Sequence, residues 1–246
     1  DRRAGAPAPA RRWSRVLRRV VRNRQQTPYG RDEYYTKKAR DNNLPARSYY
    51  KLEELDKKYN VFQQGDKVLD LGCFPGSWVK YAADAVGPTG RVLGIDLQET
   101  KIKLPPNAKT QIQDARAFVK QGMPPMDVVL SDMAPQTTQA FQADAYASAE
   151  LVHVALRVAD ATLRVGGSIV VKLFDGAERE DVVDTMRLLY EEVKINRLAA
   201  TRKQSCEIFI VGRGKLPQRA LVERSPPAPS AKTQRRVDIP HDFSGW

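Results

Sequence analysis

The chain is short of the residues that build disulfides and metal sites. Its 246 residues contain two cysteines, Cys73 and Cys206, and two histidines, His153 and His241. The cysteines lie far apart with no CxxC pair, which leaves a disulfide framework unsupported and a zinc site poorly supplied. No run of about 18 apolar residues occurs, so no membrane span is expected. No GxGxxG fingerprint follows any candidate strand, which argues against a dinucleotide pyrophosphate site. Acidic charge is also in deficit. Forty-one Lys and Arg stand against 29 Asp and Glu, a formal net charge of +12. That excess is the footprint of a protein that meets phosphate backbones, and ribosomal or other RNA leads the partner classes.

Part of the excess sits in the tails. Residues 1 to 26 hold nine arginines and a single acid, Asp1. Within them "RRWSRVLRRVVRNR" sets Trp13, Val16, Leu17, Val20 and Val21 on one helical stripe, with arginines around the rest of the wheel. This basic amphipathic helix is read as an RNA or protein anchor, a helix packed on its own domain, or the body of an organelle-targeting segment. The other end includes the Pro/Ser-containing "RSPPAPSAK" and is read as a tail. The domain reading is therefore a basic extension over 1–29, a folded domain over 30–213 and a C-terminal tail over 214–246.

Between the tails, helical and strand patterns alternate. Helices are expected at 46–59, 77–86, 115–121, 144–164 and 178–191. Strands are expected at 67–71, 91–96, 110–113, 127–131, 168–173, 193–198 and 206–212. Alternation of this kind implies a mostly parallel, doubly wound α/β sheet, with ligands beyond the carboxyl ends of its strands.

Charged residues recur at those ends. Asp132 follows the apolar run "DVVLS", Asp96 closes "RVLGID", Asp114 follows "QIQ", and Lys172 stands near the end of "SIVVKL". Asp70 lies near the end of the first strand and is read as structural. The loop "DLGCFPGSW" joins that strand to a helix, and Gly72 and Gly76 allow a tight turn and close backbone approach to a ligand. Asp96, about 20 residues beyond Gly76, suits a ribose diol. A nucleoside ligand without a diphosphate fits this pattern.

These segments carry a family resemblance. "ARSYYKLEE", "VLDLGCFPGSW", "VLGIDL", "VLSDMAP", "GGSIVVKLFDG" and "RKQSCEIFIV" resemble the successive motifs of the FtsJ/RrmJ family of ribosomal RNA 2'-O-methyltransferases. The resemblance runs from about residue 30 to 213. It implies a Rossmann-like, S-adenosylmethionine-dependent methyltransferase with a seven-stranded sheet in the order 3-2-1-4-5-7-6, the last strand antiparallel. Its cofactor contacts would fall on Gly72, Pro75, Gly76 and Trp78 in the first loop, then on Asp96, Asp114 and Asp132. Its catalytic tetrad would fall on Lys51, Asp132, Lys172 and Glu207. Trp78 has a second reading as a core residue.

In the implied strand order the strands bearing Asp132 and Lys172 are neighbours, about 4.8 Å apart. Lys172 then acts either as a deprotonated base toward a ribose hydroxyl or as a charged group that orients it. The base reading is favoured. Two departures from the family pattern stand out: Cys73 and Phe74 replace alanines, narrowing the pocket, and Gln136 replaces an Asn. The implied substrate is large-subunit ribosomal RNA, with pre-ribosomal proteins as further partners and no metal. The alternatives are a weakened or inactive assembly factor and a transfer-RNA or messenger-cap 2'-O-methyltransferase. The Arg-rich leader suggests a mitochondrial location, with the bacterial cytoplasm as the alternative.

Overall fold

The structure is a computed structural model that describes residues 31–42, 44, 46–100, 102–118, 124–201 and 205–217. The basic helix read in residues 11–24, and most of the C-terminal tail, lie outside these residues. The helices are α1 (Arg31–Asp41), α2 (Ser48–Tyr59), α3 (Ser77–Val86), α4 (Phe141–Thr162) and α5 (Arg179–Leu189), with a 3-10 turn at Ala115–Ala117. The strands are β1 (Lys67–Leu71), β2 (Arg91–Asp96), β3 (Ala108–Ile112), β4 (Met126–Ser131), β5 (Leu163–Phe174), β6 (Tyr190–Asn196) and β7 (Glu207–Lys215).

The strands form one sheet in the order β3-β2-β1-β4-β5-β7-β6. β7 runs antiparallel to both of its neighbours, and the pairs from β3 to β5 are parallel. The implied strand order and the antiparallel last strand are both present.

Helices cover both faces, so the central strands bury every second side chain on each side and read as continuous apolar runs. Leu69, Leu71, Val129, Ile169, Val171 and Ile208 face one core with α4 and α5. Val68, Val128, Leu130, Val170 and Phe209 face the other, with Leu52 and Leu55 of α2 and Val79 of α3. Side chains alternate between faces along a strand. Asp70, Asp132, Lys172 and Glu207 share the parity of the second set, so all four belong to the face covered by α2 and α3.

Several elements depart from the sequence reading. α1 was not expected, because "RDEYYTKKARD" has no apolar stripe. It packs instead through Tyr35 and Ala39 onto Tyr50 and Ala200 in a small third cluster. β5 begins at Leu163, five residues earlier than expected, because Leu163 pairs with Met126 across a register shift and Arg164 reaches Asp127 at 2.6 Å. The folded unit also outruns the expected boundary at 213. β7 includes Gly214 and Lys215, Leu216 is buried, and its N–H donates to the Leu189 carbonyl at 2.8 Å. Lys215 Nζ donates to the carbonyls of Ala159, Asp160 and Leu163 and so caps the end of α4 with a cation.

Among the described residues, no helix is long and apolar enough to cross a membrane. No group of three or more His, Cys, Asp or Glu is placed there to hold a metal ion.

Candidate active site

The carboxyl ends of β1, β2 and β4 and the turn after β3 open onto a groove of about 590 Å³. Its floor begins at Gly72, whose φ of +76° lies in the left-handed region. A Cβ there would stand 2.7 Å from Met133 Cγ and 3.0 Å from Met133 Cα. Only glycine lets the loop after β1 lie this close to the loop after β4, and the two loops together form one wall.

Asp96 closes β2 with its carboxylate already oriented. The N–H of Gln98 donates to Oδ1 and the N–H of Phe74 to Oδ2, each at 2.9 Å. Each oxygen keeps a further lone pair for a diol. Asp114 is fixed in the same manner, its Oδ1 accepting the N–H of Arg116 at 2.8 Å across the 3-10 turn. Asp96, Asp114 and Asp132 all line the groove, as does Gly72.

Three of the first-loop candidates lie elsewhere. Trp78 is 2 % exposed, its Nε1 donates to the Ser48 carbonyl at 2.9 Å, and its ring packs 5.8 Å from Phe209. It pins α3 to α2 from within the core, which is its second reading above. Pro75, Gly76 and Trp78 are not among the groove-lining residues. The space above Gly76 is filled by Thr100 and Ile102, which approach a built Cβ to 2.8 and 2.6 Å. In their place Phe74, 45 % exposed, and Leu97 line the groove. Phe74 stands out in the sequence as a larger side chain where the family has alanine, whereas Leu97 offers only an apolar residue after Asp96, too common to single out.

The other half of the site is made of two ion pairs, one buried and one partly buried. Lys172 and Asp132 follow from strand register: Ser131 pairs with Val171, so one residue further Asp132 stands beside Lys172. Lys172 Nζ lies 2.8 Å from Asp132 Oδ1 and donates to the Asp132 backbone carbonyl at 2.5 Å. Lys51 comes from α2 and meets Glu207 Oε1 at 2.5 Å. Phe174 pairs with Glu207 and Lys172 with Phe209, so Glu207 begins β7 at the end of the sheet where β5 finishes. Lys51, Lys172 and Glu207 are each less than 9 % exposed. The structure thus brings all four residues of the sequence-derived tetrad to one end and one face of the sheet. Asp132 belongs to both halves, because it also lines the groove.

Beneath the groove lies Asp70, fully buried, with neither carboxylate oxygen hydrogen-bonded. Burial first, then the charges of Asp132 and Asp96, hold its carboxyl well above the usual carboxylate range. Burial and the same carboxyl push the Cys73 thiol up to about 12, so Cys73 is an inert core residue; it does not line the groove, and of the two alanine replacements only Phe74 narrows it.

A doubly wound sheet with a nucleoside-sized groove at its carboxyl ends, and a Lys/Asp/Lys/Glu cluster beside it, defines a Rossmann-like transferase of the methyltransferase type. The chain belongs to the FtsJ-like methyltransferase family, whose model matches residues 44–215. It is 44% identical over 187 residues to the ribosomal RNA large subunit methyltransferase E of Desulforapulum autotrophicum, covering 74% of this chain and 92% of that protein. It is 46% identical over 187 residues to the protein of the same name from Nitratidesulfovibrio vulgaris, with the same coverage of each. In fold it resembles the crystal structure of a ribosomal RNA methyltransferase from Plasmodium falciparum, with a TM-score of 0.63, 22% identity, and coverage of 71% of this chain and 100% of that one.

Proposed function

We propose that the chain transfers a methyl group from S-adenosylmethionine to a ribose 2'-hydroxyl of large-subunit ribosomal RNA. The observation that carries this reading is that Asp132 lines the nucleoside-sized groove and also holds Lys172, so an acceptor hydroxyl at Lys172 stands beside the cofactor. The groove fits the cofactor's chemistry: Asp96 offers a preset acceptor for the ribose diol and Asp114 one for an exocyclic amine. When bound, S-adenosylmethionine supplies a methyl carbon on a positively charged sulfur. The groove's three carboxylates complement that charge.

Lys172 Nζ is the group that meets the acceptor hydroxyl. A neutral amine has two N–H donors and one lone pair. One N–H donates to the Asp132 backbone carbonyl, and Asp132 Oδ1 lies 2.8 Å away as an ion-pair partner that accepts no hydrogen bond. The lone pair of the neutral amine accepts the 2'-hydroxyl proton as the oxygen attacks. The charged form would instead orient the hydroxyl with a free N–H. Lys51 and Glu207 flank this position and contribute no net charge. Holding the two reactants in line supplies a large part of the acceleration.

The net charge of +12 suits an RNA substrate. The two sequence relatives named above come from bacteria, which supports the bacterial-cytoplasm reading; the mitochondrial reading has only the Arg-rich leader, outside the described residues. The test is transfer of labelled methyl to unmodified large-subunit ribosomal RNA or precursor particles, followed by mapping of ribose methylation. Label on a single 2'-oxygen that vanishes in Lys172→Ala is expected. Binding of precursor particles without any methyl transfer would favour the assembly-factor reading instead.

A further inference from the structure

The connection between β6 and β7 is fastened to α2 beside the tetrad. The N–H of Ala199 lies 3.1 and 3.0 Å from the two carboxylate oxygens of Glu54. Glu54 stands three residues beyond Lys51, so neighbouring positions on one helix face hold this turn and reach Glu207. Leu198 and Ala200 are buried on either side. Thr201 closes the turn, its N–H donating to the Leu198 carbonyl at 3.1 Å. Its hydroxyl, itself buried, donates to Glu207 Oε1 at 3.2 Å.

Oε1 of Glu207 therefore takes two donors from different elements, Lys51 of α2 and Thr201 of the β6–β7 connection. The Glu207 N–H is held as well, by Ser205 Oγ at 3.2 Å. The last torsion of a glutamate is broad, so a single ammonium leaves its carboxylate free to rotate. A second donor from another element restricts that freedom, here through a hydroxyl contact that at 3.2 Å is longer than a charge-assisted O–H bond. With Oε1 filled on both sides, Oε2 is the oxygen left to meet a substrate hydroxyl.

We propose that Thr201 is a positioning residue for the tetrad. Its hydroxyl sets the rotation of the Glu207 carboxylate and thereby keeps the Lys51 ammonium in place beside Lys172. This rests on the methyl-transfer reading above for its kinetic consequence, but not for its structural one.

The test compares Thr201→Val, which removes the hydroxyl and keeps the shape, with Thr201→Ser, which restores the hydroxyl, both in the full chain. Thr201→Val should lower kcat roughly ten- to a hundredfold, while the KM for S-adenosylmethionine stays within about twofold. Labelling of Lys51 by acetic anhydride, read by mass spectrometry, should become several-fold faster. Thr201→Ser should match the parent in both. Should Thr201→Val fail to fold, Thr201→Ala makes the same comparison without placing a methyl in the hydroxyl's site. Parent-like kcat in the valine variant, equal damage in the serine variant, or unchanged Lys51 labelling would overturn the proposal. If the parent itself transfers no methyl to ribosomal RNA, the functional reading falls, and the labelling comparison still decides the role of Thr201.

Discussion

The groove beyond β1, β2 and β3 is held by the backbone, whereas the wall beyond β4, β5 and β7 is held by side chains. In the groove, Asp96 is oriented by main-chain N–H groups of its own loop and of the loop after β1, and Asp114 by one of its own turn. Those donors stay in place whichever side chain is exchanged nearby. In the wall, Lys172 depends on Asp132 and Lys51 on Glu207. Each buried charge is there because its partner is, and removing one strands the other in a medium of low dielectric. The contrast predicts that groove variants lose affinity singly and in proportion, while wall variants lose activity or stability out of proportion to the atoms removed.

The largest effect should come from Lys172→Ala. If Lys172 accepts the proton, turnover falls by about 10²- to 10⁴-fold, while cofactor affinity measured by calorimetry stays near that of the parent. Turnover within a few-fold of the parent would take Lys172 out of the chemistry and leave the groove as the whole site.

Next comes the buried pair. Glu207→Ala leaves Lys51 unpaired and should cost about 3–5 kcal/mol of folding stability in denaturant titration. The double variant Lys51→Met with Glu207→Leu, which removes both charges and fills their volume, should recover most of that stability but not the activity. If the single variant is as stable as the parent, the pair is not the structural unit described here.

A groove variant gives the smaller figure. Asp96→Ala should weaken S-adenosylmethionine binding by about 1–3 kcal/mol. At saturating cofactor it should leave turnover nearly intact, and a large fall in kcat would erase the distinction between the two regions.

The smallest and subtlest effect concerns Asp70, which lies under both. Its carboxyl is raised in the folded chain by burial, Asp132 and Asp96, so the folded state holds its proton more tightly than the unfolded state does. The stability that this contributes is fully present below the ordinary carboxylate pKa of about 4 and is lost as pH rises through the folded value. Asp70→Asn should flatten that decline, giving a melting temperature that depends less on pH between acid and neutral solution. An unchanged pH profile would mean that Asp70 finds a partner when water is present.

The local pattern made much of the fold readable. β1, α3 and β2 begin and end where their apolar runs, Gly-containing turns and terminal aspartates place them. These signals act over a few residues. α1 was missed because its burial depends on Tyr50 and Ala200, neither of them part of its own pattern. The start of β5 was missed because Leu163 and Arg164 continue the pattern of the preceding helix, and Val165 to Gly167 look like a turn until β4 pairs beside them.

The site divides along the same line. Residue types at strand ends were set by the chain alone: an aspartate after β2, another after β4 and a lysine near the end of β5 mark the crevice whatever packs around them. Tertiary structure alone decided which of these residues share a contact. The Lys51–Glu207 pair joins positions 156 apart in the chain, and the Glu54 link to Ala199 joins positions 145 apart. Trp78 entered the core rather than the groove because α2 offered it a carbonyl at Ser48. Thr201 meets Glu207 in a connection that Glu54 of α2, from the other end of the domain, fastens at Ala199. Local propensity acts within a turn or a strand, but a buried donor takes whichever acceptor the packed chain leaves within about 3 Å.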